Sequence, residues 1–320
     1  MADKRDNKGE LRWHQRIALE LLWGICLLLS RTPEWLRFGL LQSFIRLVLR
    51  LLRYRRKVIL KNLRCSFPEK NEAEIRAIML AYYDTLAEVI VDTLCLAGAT
   101  PERDGVLLEW ENYQEHIEAN RGRDWIAMAS HYGFWEYYPL WSWLDKDALF
   151  MGVYHPLRSP VFEHLYRRLR NLAPNIHQVA MADTLRFYMR HRSKERTTVL
   201  GLISDQSPAL RADTVWFDFL NQKTAFIEGS ERLALKFSIP IYFVEAERLK
   251  PGRYRARFKQ IYDGVEQVEP KEITRRYAEA LEAMVRRQPE LWMWSHNRWK
   301  HTPEKQREWY GASTDDAQAQ

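Results

Sequence analysis

The stretch "DWIAMASHYGFWEYYPLWSWL", Asp124 to Leu144, begins as a short apolar run, breaks at Ser130, His131 and Gly133, and resumes as an aromatic segment carrying one carboxylate, Glu136. An apolar run of this length ending at a glycine reads as a buried strand, and the segment after it as a helix. The alternation then repeats. "ALFMGVY" (148–154) is followed by "PVFEHLYRRLRNL" (160–172) and "TTVLGLIS" (197–204). The helix-like "IEGSERLALKF" (227–237) then leads into "SIPIYFVEAERL" (238–249). Strand and helix in turn predict an α/β domain with a mostly parallel central sheet flanked by helices. "YRARFKQIY" (254–262) reads as a further strand, hairpinned to the preceding one through "KPGR", and "PKEITRRYAEALEAMVRRQPE" (270–290) as a strongly periodic helix.

Upstream the texture differs. The chain has 320 residues and a net charge of +7, but residues 1–65 hold 15 Lys/Arg against 5 Asp/Glu, leaving 34 against 37 in the rest. This basic block is interleaved with long apolar runs, which argues against nucleic acid and for an anionic membrane surface. "IALELLWGICLLL" (17–29) contains Glu20 and is too short to span hydrocarbon directly. It is expected to be an uncleaved anchor lying in or dipping into a membrane, with a tilted, extended span as the alternative. Glu34–Lys57 is expected to be one basic amphipathic helix. Arg46, Arg50, Arg53 and Lys57 fall on one side, and Leu41, Phe44, Ile45, Val48 and Leu52 on the other. Its other reading is a core helix with a solvated basic face. Another helix is expected over Glu72–Ala97.

The expected organisation is therefore residues 1–65 as basic apolar membrane-anchoring helices, 66–305 as the α/β domain, and 306–320 as a polar tail. Three cysteines, Cys26, Cys65 and Cys95, are odd in number and lack metal-ligand spacing. They predict reduced thiols, no metal and no disulfide framework.

His131 falls at the carboxyl end of a predicted strand, where open α/β sheets gather their chemistry. Inside one helix His131 and Glu136 would lie about 140° apart. With His131 in the preceding loop, Glu136 is expected to reach back to its ring, giving a base held by a carboxylate. No serine or cysteine stands in a G-x-S-x-G setting, so such a dyad would activate the attacking hydroxyl itself. A structural His and Glu is the competing reading.

His131-x4-Glu136 resembles the H-x4-D/E signature of the membrane-associated glycerolipid acyltransferases. Its surroundings resemble the late acyltransferases of lipid A biosynthesis, the lauroyl and myristoyl transferases. Supporting segments occur in the order of that family: "VYHPLRSPVFEHL" (153–165), "LISDQSP" (202–208), "FLNQKTAFIEGSERLALKFSIPIYFV" (219–244) and "PELWMWSHNRWK" (289–300). The resemblance covers residues 10–300. It departs at His155, where the family usually has Arg, and at Asn221, where Gly is common.

The resemblance implies His131 as general base and Glu136 as its orienting partner. Asp205, Arg170 or Arg168, and Arg298 are implied at the substrate or oxyanion. Asp205 also fits a turn-capping role, and the arginines fit solvated or cation–π positions. The implied activity is O-acyl transfer from an acyl thioester, carried by an acyl carrier protein, to a hydroxyl of an anionic glycolipid, a lipid A precursor. It would take place at the cytoplasmic face of a bacterial inner membrane, with membrane lipids as further partners and no cofactor. The alternatives are another lipid acceptor (a glycolipid, a phosphatidylinositol mannoside or an aminolipid) and a non-catalytic basic membrane-surface protein.

Overall fold

The computed structural model describes residues 11–311. The chain opens with α1 (Trp13–Ser30). A π-helical segment (Trp35–Leu41) leads into α2 (Gln42–Leu51), followed by α3 (Arg56–Ser66), α4 (Glu72–Cys95) and the single turn α5 (Pro101–Asp104). The α/β part follows as β1 (Leu108–Trp110), α6 (Tyr113–Ala119), β2 (Trp125–Ala129), a 3-10 segment (Trp135–Leu140), α7 (Trp141–Leu144), β3 (Leu149–Tyr154), α8 (Pro160–Arg170), β4 (Ile176–Ala180), α9 (Thr184–His191) and β5 (Thr198–Ile203). It closes with β6 (Val215–Phe219), β7 (Gln222–Phe226), α10 (Gly229–Phe237), β8 (Ile241–Lys250), β9 (Arg253–Tyr262), α11 (Glu272–Arg287) and α12 (Pro303–Tyr310).

Seven strands form one sheet in the order β1-β9-β8-β2-β5-β3-β4, in which only β8–β9 is antiparallel. The expected α/β class and mostly parallel sheet are what the structure shows. β2 is buried at all five positions, as a central strand covered on both faces must be. Its register against β5 ends with Ala129 beside Ile203, so the residues that follow the two strands, Ser130–His131 and Ser204–Asp205, emerge side by side. β6 and β7 form a separate hairpin turning through Leu220 (φ 49°) and Asn221 (φ 61°). Asparagine tolerates this left-handed conformation, so the departure from glycine at Asn221 leaves the turn intact.

α4 begins where its sequence signals it. Asn71 accepts from Ala73 N and Glu74 N, and Glu74 returns a bond to Asn71 N. The single helix expected over 34–57 is broken instead, because Arg53 (φ 48°) and Arg55 (φ 46°) adopt left-handed conformations between α2 and α3. Of its basic side, Arg53 and Lys57 are exposed, whereas Arg46 and Arg50 meet a carboxylate. Arg50 donates to Asp84 of α4 at 2.8 Å, Arg46 lies 3.8 Å from the same carboxylate, and Arg55 donates to Ser295 O. Many apolar side chains also face outward. Trp13, Ile17, Leu21, Ile25 and Leu28 of α1, and Trp35, Leu40, Phe44, Leu47, Leu51 and Leu52 after it, are each more than half exposed. No helix of the described residues is long and apolar enough to cross a membrane.

The polar tail expected from residue 306 is helical as far as Tyr310. Gln306 is buried and donates to Arg211 O and Ala212 O, docking α12 on the loop before β6. The remainder of that tail, 312–320, lies outside the described residues. Cys26 and Cys95 are buried and Cys65 is exposed, all as free thiols; burial pushes the Cys95 thiol up to about 11.

Candidate active site

The loop after β2 is pinned before it reaches any helix. Gly133 N donates to Leu291 O and Met293 N to His131 O, stitching residues 131–133 to the segment after α11. Gly133 has φ +57°, and a Cβ there would stand 2.6 Å from the Tyr254 ring, so no larger residue fits without displacement.

His131 is gripped from the neighbouring strand end. Its Nδ1 lies 2.7 Å from Asp205 Oδ1, and its backbone N–H donates to Asp205 Oδ2 at 3.0 Å. Trp292 Nε1 donates to the same Oδ2 at 2.8 Å. Burial alone would raise the Asp205 carboxyl, but the adjacent imidazole and these three donors outweigh it and hold it below its usual range. An ionised carboxylate only accepts, so Nδ1 carries the proton and Nε2 keeps a lone pair when the ring is neutral. The carboxylate bonded to His131 is thus Asp205, 74 residues away in sequence, and not Glu136.

Glu136 is turned the other way. The tight 3-10 segment carries it toward α8, where Arg170 grips it with two bonds, Nε to Oε2 at 2.7 Å and Nη2 to Oε1 at 2.6 Å. Both carboxylate oxygens are occupied, and Glu136 is only 5% exposed. Burial pulls the Arg170 guanidinium down, and the charge of Glu136 more than restores it. The expected contact between Glu136 and the imidazole is therefore not made, and Arg170 faces Glu136 with only its Nη1 uncommitted among the described residues.

The other two arginines are placed differently. Arg168 donates to both oxygens of Glu20 on α1 at 3.0 Å and lies 4.1 Å above the Trp23 ring, which ties α8 to α1. Arg298 is 2% exposed, donates to Ala225 O and sits over Phe226. Burial lowers it to about 10 against the opposing pull of Asp205 and Tyr277. Its Nε and Nη1 are buried without a hydrogen-bond partner among the described residues, and its charge is felt by Asp205. His155 is exposed at the end of β3.

Several residues around the ring had not been singled out from sequence. Gln206 Nε2 lies 3.2 Å from His131 Nε2, and the Trp135 ring meets the imidazole edge-on at 5.2 Å. Ser207 N donates to His296 Nε2, whose imidazole burial lowers to about 4. The sequence signals for this wall are the segments "LISDQSP" (202–208) and "PELWMWSHNRWK" (289–300). Among the described residues no three His, Cys, Asp or Glu side chains converge to hold a metal.

Parallel strands presenting a carboxylate-held histidine at their carboxyl ends define a site for general-base chemistry on an α/β sheet. A model of the bacterial lipid A biosynthesis acyltransferases matches residues 6–301, and the chain belongs to that family. It is similar to the lipid A biosynthesis myristoyltransferase of Escherichia coli (strain K12) and to lipid A biosynthesis acyltransferase 1 of Shigella flexneri. Each is 24% identical over 158 residues, covering 49% of this chain and 48% of the relative. The chain thus spans about half the length of the curated relatives it matches.

Proposed function

We propose that the protein transfers a fatty acyl chain from an acyl thioester to a hydroxyl of a lipid A precursor, with His131 as general base. The observation that carries this reading is the Asp205–His131 pair, which leaves Nε2 as the proton acceptor. Nε2 takes the acceptor's hydroxyl proton as its oxygen attacks the thioester carbonyl. The tetrahedral intermediate collapses, the C–S bond breaks, and the imidazolium returns its proton to the leaving thiolate, giving ester and free thiol. Asp205 supports the transient imidazolium. Glu136 and Arg170 are locked to each other, and in this reading the free Nη1 of Arg170 serves the developing oxyanion.

The donor in this reading is an acyl carrier protein thioester, and the acceptor is an anionic glycolipid at the cytoplasmic face of the inner membrane. The outward apolar residues of α1 and of 35–52 support attachment to that surface, since a soluble monomer rarely exposes so many together. In a strain lacking the protein, mass spectrometry should show lipid A short of one acyl chain. The wild-type gene should restore it, and His131→Ala should lower turnover by at least ~100-fold in a folded protein. Restoration by His131→Ala would end the mechanism. Attachment is checked by flotation with anionic vesicles: Phe44→Ser/Leu47→Ser/Leu51→Ser should leave most of the protein unbound. Unchanged flotation would mean that these side chains do not meet lipid.

A further inference from the structure

The atom on which the reaction depends, His131 Nε2, already has a neighbour. The amide nitrogen of Gln206 stands 3.2 Å from it. A glutamine NH2 group only donates, and so does a protonated ring nitrogen, so this contact is a hydrogen bond only to a neutral imidazole whose Nε2 is bare. Asp205 enforces that same tautomer from the other side of the ring. The two consecutive residues therefore clamp the imidazole between an acceptor at Nδ1 and a donor at Nε2.

The clamp is fixed at its base and free at its tip. Asp205 is buried and held by Trp292 and by the His131 amide, while Ser207 N is tied to His296. The Gln206 side chain makes no other hydrogen bond among the described residues, and it is only partly buried. Its Oε1 is uncommitted. Rotation about the terminal torsion would exchange donor for acceptor and let the same side chain accept from an imidazolium.

We propose that Gln206 is a positioning residue that occupies the proton-accepting nitrogen of His131 between turnovers and yields it to the acceptor hydroxyl. This rests on the reading of His131 as general base. A hydroxyl and a water molecule compete for the same nitrogen. A side chain that covers it until an acceptor is bound favours the one held by many other contacts. A free water must displace an amide for no other gain, so thioester hydrolysis is held back relative to transfer.

The test compares wild type with Gln206→Met, which keeps the unbranched chain and removes the amide, and with Gln206→Leu. The first measurement is independent of acyl transfer: labelling of His131 by diethyl pyrocarbonate, which modifies an unprotonated imidazole nitrogen, followed by peptide mass mapping. Labelling should accelerate about fivefold in either variant, the factor that a hydrogen bond of ordinary net strength holds back. The second measurement is the partition of an acyl thioester between water and acceptor, with KM for the acceptor. Hydrolysis should rise by a similar factor relative to transfer, and KM should fall, with kcat for transfer within about tenfold of wild type. Unchanged labelling and partition, or a fall in transfer and thermal midpoint together without faster labelling, would overturn the proposal. A wild-type protein that transfers no acyl chain, yet shows faster labelling on loss of Gln206, would overturn the proposed function and leave the clamp in place.

Discussion

Two arginines of α8 make the same chemical contact in different surroundings. Arg168 pairs with Glu20 where the side chains are 42% and 64% exposed, whereas Arg170 pairs with Glu136 where they are 23% and 6% exposed. The first joins the N-terminal helix to the α/β domain through water-screened charges and an indole face; the second is a two-bonded clamp beside the site. An exposed pair gains little, because solvent screens it and ordering two long side chains costs entropy. A buried pair has surrendered hydration, so removing one partner strands the other. Burial, not residue type or spacing, sets the weight of each contact.

The site is where that contrast has its largest consequence. Asp205→Asn would place the amide oxygen where Oδ2 accepts from His131 N and Trp292, and so turn the NH2 group toward His131 Nδ1. The ring would then carry its proton on Nε2, where no base remains. Transfer should fall by between about 10² and 10⁴-fold with the fold preserved, measured as kcat alongside circular dichroism. A loss under tenfold would mean that the tautomer is set elsewhere.

Arg170→Leu should cost about 3–5 kcal/mol in urea unfolding, because it leaves a buried carboxylate alone. Arg170→Leu/Glu136→Leu should recover most of that loss. Equal destabilisation in the single and double variants would show that packing, and not the stranded charge, is responsible.

Acid should act through the buried imidazoles. His116 and His296 are both lowered to about 4 by burial. Their folded values lie below the ordinary 6.5, so between about pH 6.5 and 4 the unfolded chain takes up protons that the folded chain refuses. Unfolding free energy should therefore fall as pH falls through that window. His296→Asn should flatten the slope by up to about 1.4 kcal/mol per pH unit. An unaltered slope would mean that His296 protonates in place.

Arg168→Leu is the smallest effect and the sharpest control, within about 1 kcal/mol of wild type by the same unfolding assay. A loss as large as that of Arg170→Leu would erase the distinction between the two pairs.

Much of this molecule is legible in its sequence, because strands and helices are written in local periodicity. The strand and helix alternation, the helix from Glu72, the "KPGR" turn and the position of His131 at a strand end all follow from residues close together in the chain. Ordered segments from 153 to 300 likewise carry the family. Only tertiary structure decided which carboxylate meets the imidazole. Glu136 is five residues away and Asp205 seventy-four, but the parallel register of β2 and β5 delivers Asp205 to the ring, while a 3-10 turn swings Glu136 to Arg170. It also decided that apolar side chains of 35–52 face outward and that Arg298 is buried. Local sequence fixes dihedral preferences, whereas register and packing fix which distant side chains share a few ångströms of space.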